Sequence, residues 1–153
     1  MQTSHTYSHH HAEEDLAHKC LLEQVLSLAD APNLPVAPKS GKAIRAHIED
    51  RLIQFGWAKE PDVDPDHDLT INAMKQRVGL TVQTGNIARA FYDLLKFQVM
   101  FQKDRLDVAV LMLPTQSAAA TIGSNIANFT RVSNEIELFK HIITIPVFLI
   151  SFE

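Results

Sequence analysis

One cysteine, Cys20, stands among 153 residues, so no internal disulfide can form. No Cys/His spacing of the structural-zinc kind occurs either. No apolar run approaches the roughly 18 to 20 residues that span a bilayer. The longest candidate, "HIITIPVFLISF", is short and broken by Pro146. The N-terminus carries histidines and acids where a secretory signal would have a basic region followed by an apolar one. Internal repeats, a Walker-type loop, a dinucleotide fingerprint and a G-x-S-x-G elbow are also missing. What remains is an ordinary globular composition, 46% hydrophobic and 21% charged, long enough to bury one core. A single cytoplasmic domain is the expectation.

The net charge of −4 hides an asymmetry. Residues 1–68 hold 12 acids and 6 Lys/Arg, whereas residues 69–153 hold 6 acids and 8 Lys/Arg. Lys75, Arg77, Arg89, Lys96, Lys103 and Arg105 fall close together in the second half, where a phosphate-facing surface could be built. Ordinary solvated helix faces would read the same way.

Along the chain, residues 1–11 are polar and aperiodic, which predicts a flexible tail containing His9, His10 and His11. Leu16, Cys20, Leu21, Val25 and Leu28 mark one stripe of a helix over 12–31, with Cys20 expected in the core. Three prolines then break the chain. Ile44, Ile48, Leu52 and Phe55 predict a second helix from about Ser40, closed by Gly56. "WAKEPDVDPDHD" alternates acids but lacks the glycine and terminal glutamate of a calcium loop, and reads as a solvated loop. A hairpin follows, then a long helix over about 86–103 with Asn86 as its N-cap. "LDVAVLMLP" and "PVFLISF" are continuous apolar runs, expected as strands buried on both faces, with helical sequence over about 117–141 between them. The pattern predicts an α/β fold with a mixed central sheet flanked by helices, a single domain over 12–153 with its core in 39–153.

The hairpin "INAMKQRVGLTVQTGN" carries the chemistry. Two adjacent strands can hold Mg2+ with one carboxylate each, and a third side chain two residues on shares the second strand's face. Here those three positions carry Asn72, Thr81 and Gln83. The geometry is sound but both anions are missing, which should weaken metal binding. Glu49 on the preceding helix could bring an acid towards the metal, or could be a surface acid. Asp93 and Lys96 could approach from the long helix.

This arrangement resembles the restriction-endonuclease fold with its PD-(D/E)XK motif, and specifically the BglII-like enzymes. That group is similar in having glutamine where most relatives have the motif lysine, so Gln83 matches. The nine-residue step from Asn72 to Thr81 matches its Asp-to-Glu spacing. The likeness covers residues 40–153. It implies catalytic positions at Asn72, Thr81 and Gln83, and metal ligation by Glu49, Asn72 and Thr81. It further implies contacts to double-stranded DNA from Lys75, Arg77, Asn86, Arg89 and Lys96, and a homodimer. Asn72 and Thr81 depart from the motif's Asp and Glu. Two readings therefore stand: an Mg2+-dependent DNA-hydrolysing fold with a degraded site, or a non-catalytic DNA-binding or assembly subunit.

Overall fold

The computed structural model describes residues 1–153. Eight strands and six α-helices follow one another as β1 (Thr3–His9), α1 (Ala12–His18), α2 (Leu22–Leu26), α3 (Gly41–Gln54), β2 (Ala58–Lys59), β3 (Asp62–Asp64), β4 (His67–Thr70), β5 (Ala73–Lys75), β6 (Val78–Val82), α4 (Ile87–Gln102), β7 (Val108–Pro114), α5 (Gln116–Ile122), α6 (Phe129–Leu138) and β8 (Val147–Phe152). The main sheet has the order β1-β8-β7-β6-β5-β2, and β3 and β4 form a small ribbon of their own. β6, β7 and β8 run parallel, so helices must cross between them, while β1, β5 and β2 are antiparallel edges. No helix is long and apolar enough to cross a membrane.

Every residue of β6, β7 and β8 is buried, the pattern of strands covered on both faces. Alternate side chains build two separate cores. Val78, Leu80, Val82, Val108, Val110 and Met112 pack towards α1, α2 and α3. Ala109, Leu111, Leu113, Val147 and Leu149 pack towards α4 and α6. By the same alternation Gly79, Thr81 and Gln83 share the α4 face. Gly79 lets α4 come close: a Cβ there would lie 2.8 Å from Leu106 Cδ1 and 3.0 Å from Phe97 Cε1. Further along that row the apolar packing stops at Thr81 and Gln83. That is where a cleft opens.

The hairpin forms as its pattern predicts. Lys75 pairs with Val78, so Gln76 and Arg77 alone make the turn, at φ 50° and 63°. This is the left-handed two-residue turn that suits twisted strands, normally filled by Asn or Gly. Arg77 offsets the cost by bonding the Asp104 and Asp107 carboxylates. α3 ends with Gly56 at φ 77°, and the Asn86 side chain caps α4 at Ala88 N–H.

Three expectations are corrected. The expected tail is instead β1, antiparallel to β8, with His9 buried and its Nε2 donating to the Ile143 carbonyl. Its polar sequence fits an edge strand, where one side faces solvent. The expected helix over 12–31 breaks at Cys20, which is exposed at φ 57°, and only then resumes. Finally, "PDVDPDHD" is the β3–β4 ribbon rather than a loop. Asp64 is buried there because Lys103, His67 and the Asp66 N–H all bond its carboxylate.

Candidate functional site: a polar cleft beside the hairpin

The cleft has a volume of about 380 Å³ and lies between the hairpin, α3 and α4. Arg45, Asn72, Thr81, Gln83, Arg89, Asp93 and Lys96 line it, with Glu60 and Tyr92 among the others. The ladder ends at the Ala73–Leu80 pair, and one residue beyond it the Asn72 side chain accepts from Val82 N–H, next to Thr81. The tight turn thus brings Asn72 and Thr81 to the same cleft.

Several of these polar groups are tied to one another. Asn72 Nδ2 donates to Glu49 Oε1 at 2.9 Å, and Asn72 Oδ1 accepts from Val82 N–H at 2.9 Å. One amide therefore ties α3 to the end of β6. Gln83 Nε2 donates to Asp93 Oδ2 at 2.7 Å, while its Oε1 accepts from Gly85 N–H at 2.8 Å. Asp93 is 5% exposed and its other oxygen accepts from Lys96 Nζ at 3.1 Å. Lys96 also donates to the Thr70 carbonyl and lies 4.9 Å from the Tyr92 ring centroid. Thr81 differs: its Oγ1 is buried and has no hydrogen-bond partner.

Of the expected site residues, Asn72, Thr81, Gln83, Arg89 and Lys96 line the cleft, and Glu49 reaches it through Asn72. Lys75 and Arg77 do not. Lys75 Nζ donates to the Phe55 carbonyl, and Arg77 staples the hairpin turn to Asp104 and Asp107. Asn86 spends its side-chain oxygen on the helix cap. Sequence reasoning missed Arg45, Glu60 and Tyr92. Arg45 sits one turn before Glu49 on the same helix face, a spacing that was available as a signal. Glu60 and Tyr92 had none.

A magnesium ion needs anionic oxygens, and of the expected ligands Glu49 alone is an acid, its Oε1 already accepting from Asn72. Asn72 and Thr81 are neutral, and both Asp93 oxygens are engaged by Gln83 and Lys96. No group of three or more His, Cys, Asp or Glu side chains is placed to hold a metal, the three consecutive histidines included. The residues present do not fit the ion.

The hairpin thus feeds a buried parallel strand, with a long helix over the face that carries the cleft, and the comparisons place this arrangement in the restriction-endonuclease class of fold. The structure is similar to that of restriction endonuclease BglII complexed with a DNA 16-mer, with a TM-score of 0.82 at 15% identity over 100% of this chain and 78% of the other. Free BglII is similar with a TM-score of 0.73, also at 15% identity, over 100% and 80% of the two chains. The family described as "Restriction endonuclease BglII/BglIII" matches residues 4–152, and the chain belongs to it. That match takes in β1, α1 and α2, beyond the residues 40–153 that carried the resemblance. No curated protein matches the chain. The family is one of DNA-cleaving enzymes that generally use Mg2+.

Proposed function

We propose that this chain binds double-stranded DNA on the restriction-endonuclease fold but no longer hydrolyses it. The observation that carries this reading is the Glu49–Asn72–Val82 bridge, a closed network of neutral and single-acid groups where two carboxylates would have to face a metal. Gln83 points the same way: it is held by Asp93 and Gly85, and is not free to orient a water. Support for DNA as the partner comes from the family and from BglII, which was solved with DNA. A cytoplasmic location goes with that partner.

The reading includes a homodimer. Tyr92, Leu95 and Val99 are 46%, 50% and 38% exposed along one face of α4, an apolar stripe that a second copy would cover. Leu95→Asp is expected to convert dimer to monomer in analytical ultracentrifugation. A wild-type chain that is monomeric at every concentration would end that part of the proposal.

The central test is supercoiled-plasmid cleavage in Mg2+ and in Mn2+, beside the Asn72→Asp, Thr81→Glu double variant. The expected result is intact plasmid with the wild type, retained binding to a duplex oligonucleotide, and nicking by the double variant alone. Wild-type nicking would show that another acid completes the site and would overturn the proposal.

A further inference from the structure

The chain has six arginines, and four of them are engaged by the protein itself. Arg51 donates to the Asp30 carbonyl, Arg77 to Asp104 and Asp107, Arg105 to the Val63 carbonyl and Arg131 to Glu135. The two with no hydrogen bond and no ion pair are Arg45 and Arg89. Both line the same cleft, one from α3 and the other from the first turn of α4.

The cleft's remaining charges leave that pair in control. Lys96 and Asp93 neutralise each other in a bridge of 3.1 Å. Glu60 is the one other acid in the lining, and it is exposed to solvent. The same lining includes Thr81, 6% exposed, its hydroxyl buried and without a partner. A buried hydroxyl left unpaired is costly, so the position favours an added acceptor. Carboxylates at positions 72 and 81 would repel a phosphate unless a cation lay between them. With Asn72 and Thr81 that repulsion is gone.

We infer that this cleft holds one phosphodiester group of a DNA strand directly, without a divalent cation, between the guanidinium groups of Arg45 and Arg89 with the Thr81 hydroxyl as a third donor. The planar guanidinium fork matches two phosphate oxygens at once, so two such groups replace the charge that a metal would supply. The inference rests on the DNA-binding reading and specifies its chemistry. The sign of the site is reversed: an anion-binding cleft stands in the place of a cation-binding one.

The test is fluorescence anisotropy of a duplex oligonucleotide with the full chain in excess EDTA. Wild type is compared with Arg45→Ala, Arg89→Ala, Arg89→Lys and, as control, Arg131→Ala. Binding is expected to persist in EDTA. Each cleft alanine variant should weaken it about tenfold and lower the salt dependence by roughly one phosphate contact. Arg89→Lys should recover part of the loss, and Arg131→Ala should change nothing. All three arginines are exposed, so the variants are expected to fold. Inorganic phosphate should shift the Arg45 and Arg89 side-chain resonances in NMR spectra, and the duplex should shift the same ones. Shifts by phosphate alone would assign the cleft to a free anion and overturn the inference. So would duplex binding that needs Mg2+, or cleft variants that bind like wild type, and in those cases the DNA-binding reading survives. A wild type that binds no duplex removes both.

Discussion

Replacing Thr81 by valine should stabilise this protein. Thr81 lies next to the end of the buried strand β6, paired with Leu111 of β7. Its hydroxyl contributes no hydrogen bond, yet it has been taken out of water. Leaving such a group unpaired costs about 1–3 kcal/mol. Valine keeps the branched shape and exchanges that hydroxyl for a methyl, whose burial adds up to about 0.8 kcal/mol. The expected gain is roughly 1–3 kcal/mol. For a domain of this size that raises Tm by about 2–4 °C per kcal/mol. The assay is urea unfolding at neutral pH in phosphate-free buffer, with an increased midpoint at an unchanged slope. A lowered midpoint would refute the reasoning, because it would mean that the hydroxyl has a partner in the free protein. The same variant should bind duplex DNA more weakly. Stability gained where binding is lost is the signature of a group kept for a ligand.

The restored-carboxylate variant Asn72→Asp, Thr81→Glu should be less stable than wild type in EDTA and regain stability in Mn2+, since binding to the folded state shifts unfolding by mass action; thermal melts with and without metal check this. Asp93→Asn should cost about 3 kcal/mol in urea unfolding, because Lys96 loses its counter-ion inside the cleft and one amide hydrogen must face another donor. Two pH windows are expected. Burial holds the His9 imidazole below its ordinary range despite the Ile143 carbonyl, so its share of stability is present above about pH 6.5 and is lost as pH falls. Lys103, then His67 and the Asp66 N–H, hold Asp64 below the usual carboxylate range, so its share is present above about pH 4 and is lost below that. Urea midpoints between pH 7 and 3 should flatten in the upper window for His9→Gln and in the lower one for Asp64→Asn.

The elements that were legible are those whose pattern is local. Continuous apolar runs marked β7 and β8, helical spacing marked α3 and α4, and Asn86 and Gly56 marked two helix ends. The hairpin could be placed because its turn, its register and the period of two leave few choices, and Asn72 and Thr81 do line one cleft. β1 was not legible. A polar edge strand has no apolar period, and its partner β8 lies at the other end of the chain. The β3–β4 ribbon was missed for a related reason: Asp64 reads as a solvated acid until Lys103, 39 residues away in sequence, supplies its counter-ion.

The cleft divides along the same line. Residue types, their spacing and the resemblance they carry set the expectation that Asn72, Thr81 and Gln83 stand at the motif positions, with no carboxylate at the first two. Chain chemistry is local, and a missing charge is visible in one dimension. Which charges remain available was decided by the tertiary structure. Lys75, Arg77, Arg89 and Lys96 look equivalent in sequence, but long-range contacts spend Lys75 on Phe55, Arg77 on Asp104 and Asp107, and Lys96 on Asp93. They leave Arg89, joined by Arg45 from a distant helix, facing the cleft unpaired. A charge is free only if nothing folds against it, and that depends on every element at once.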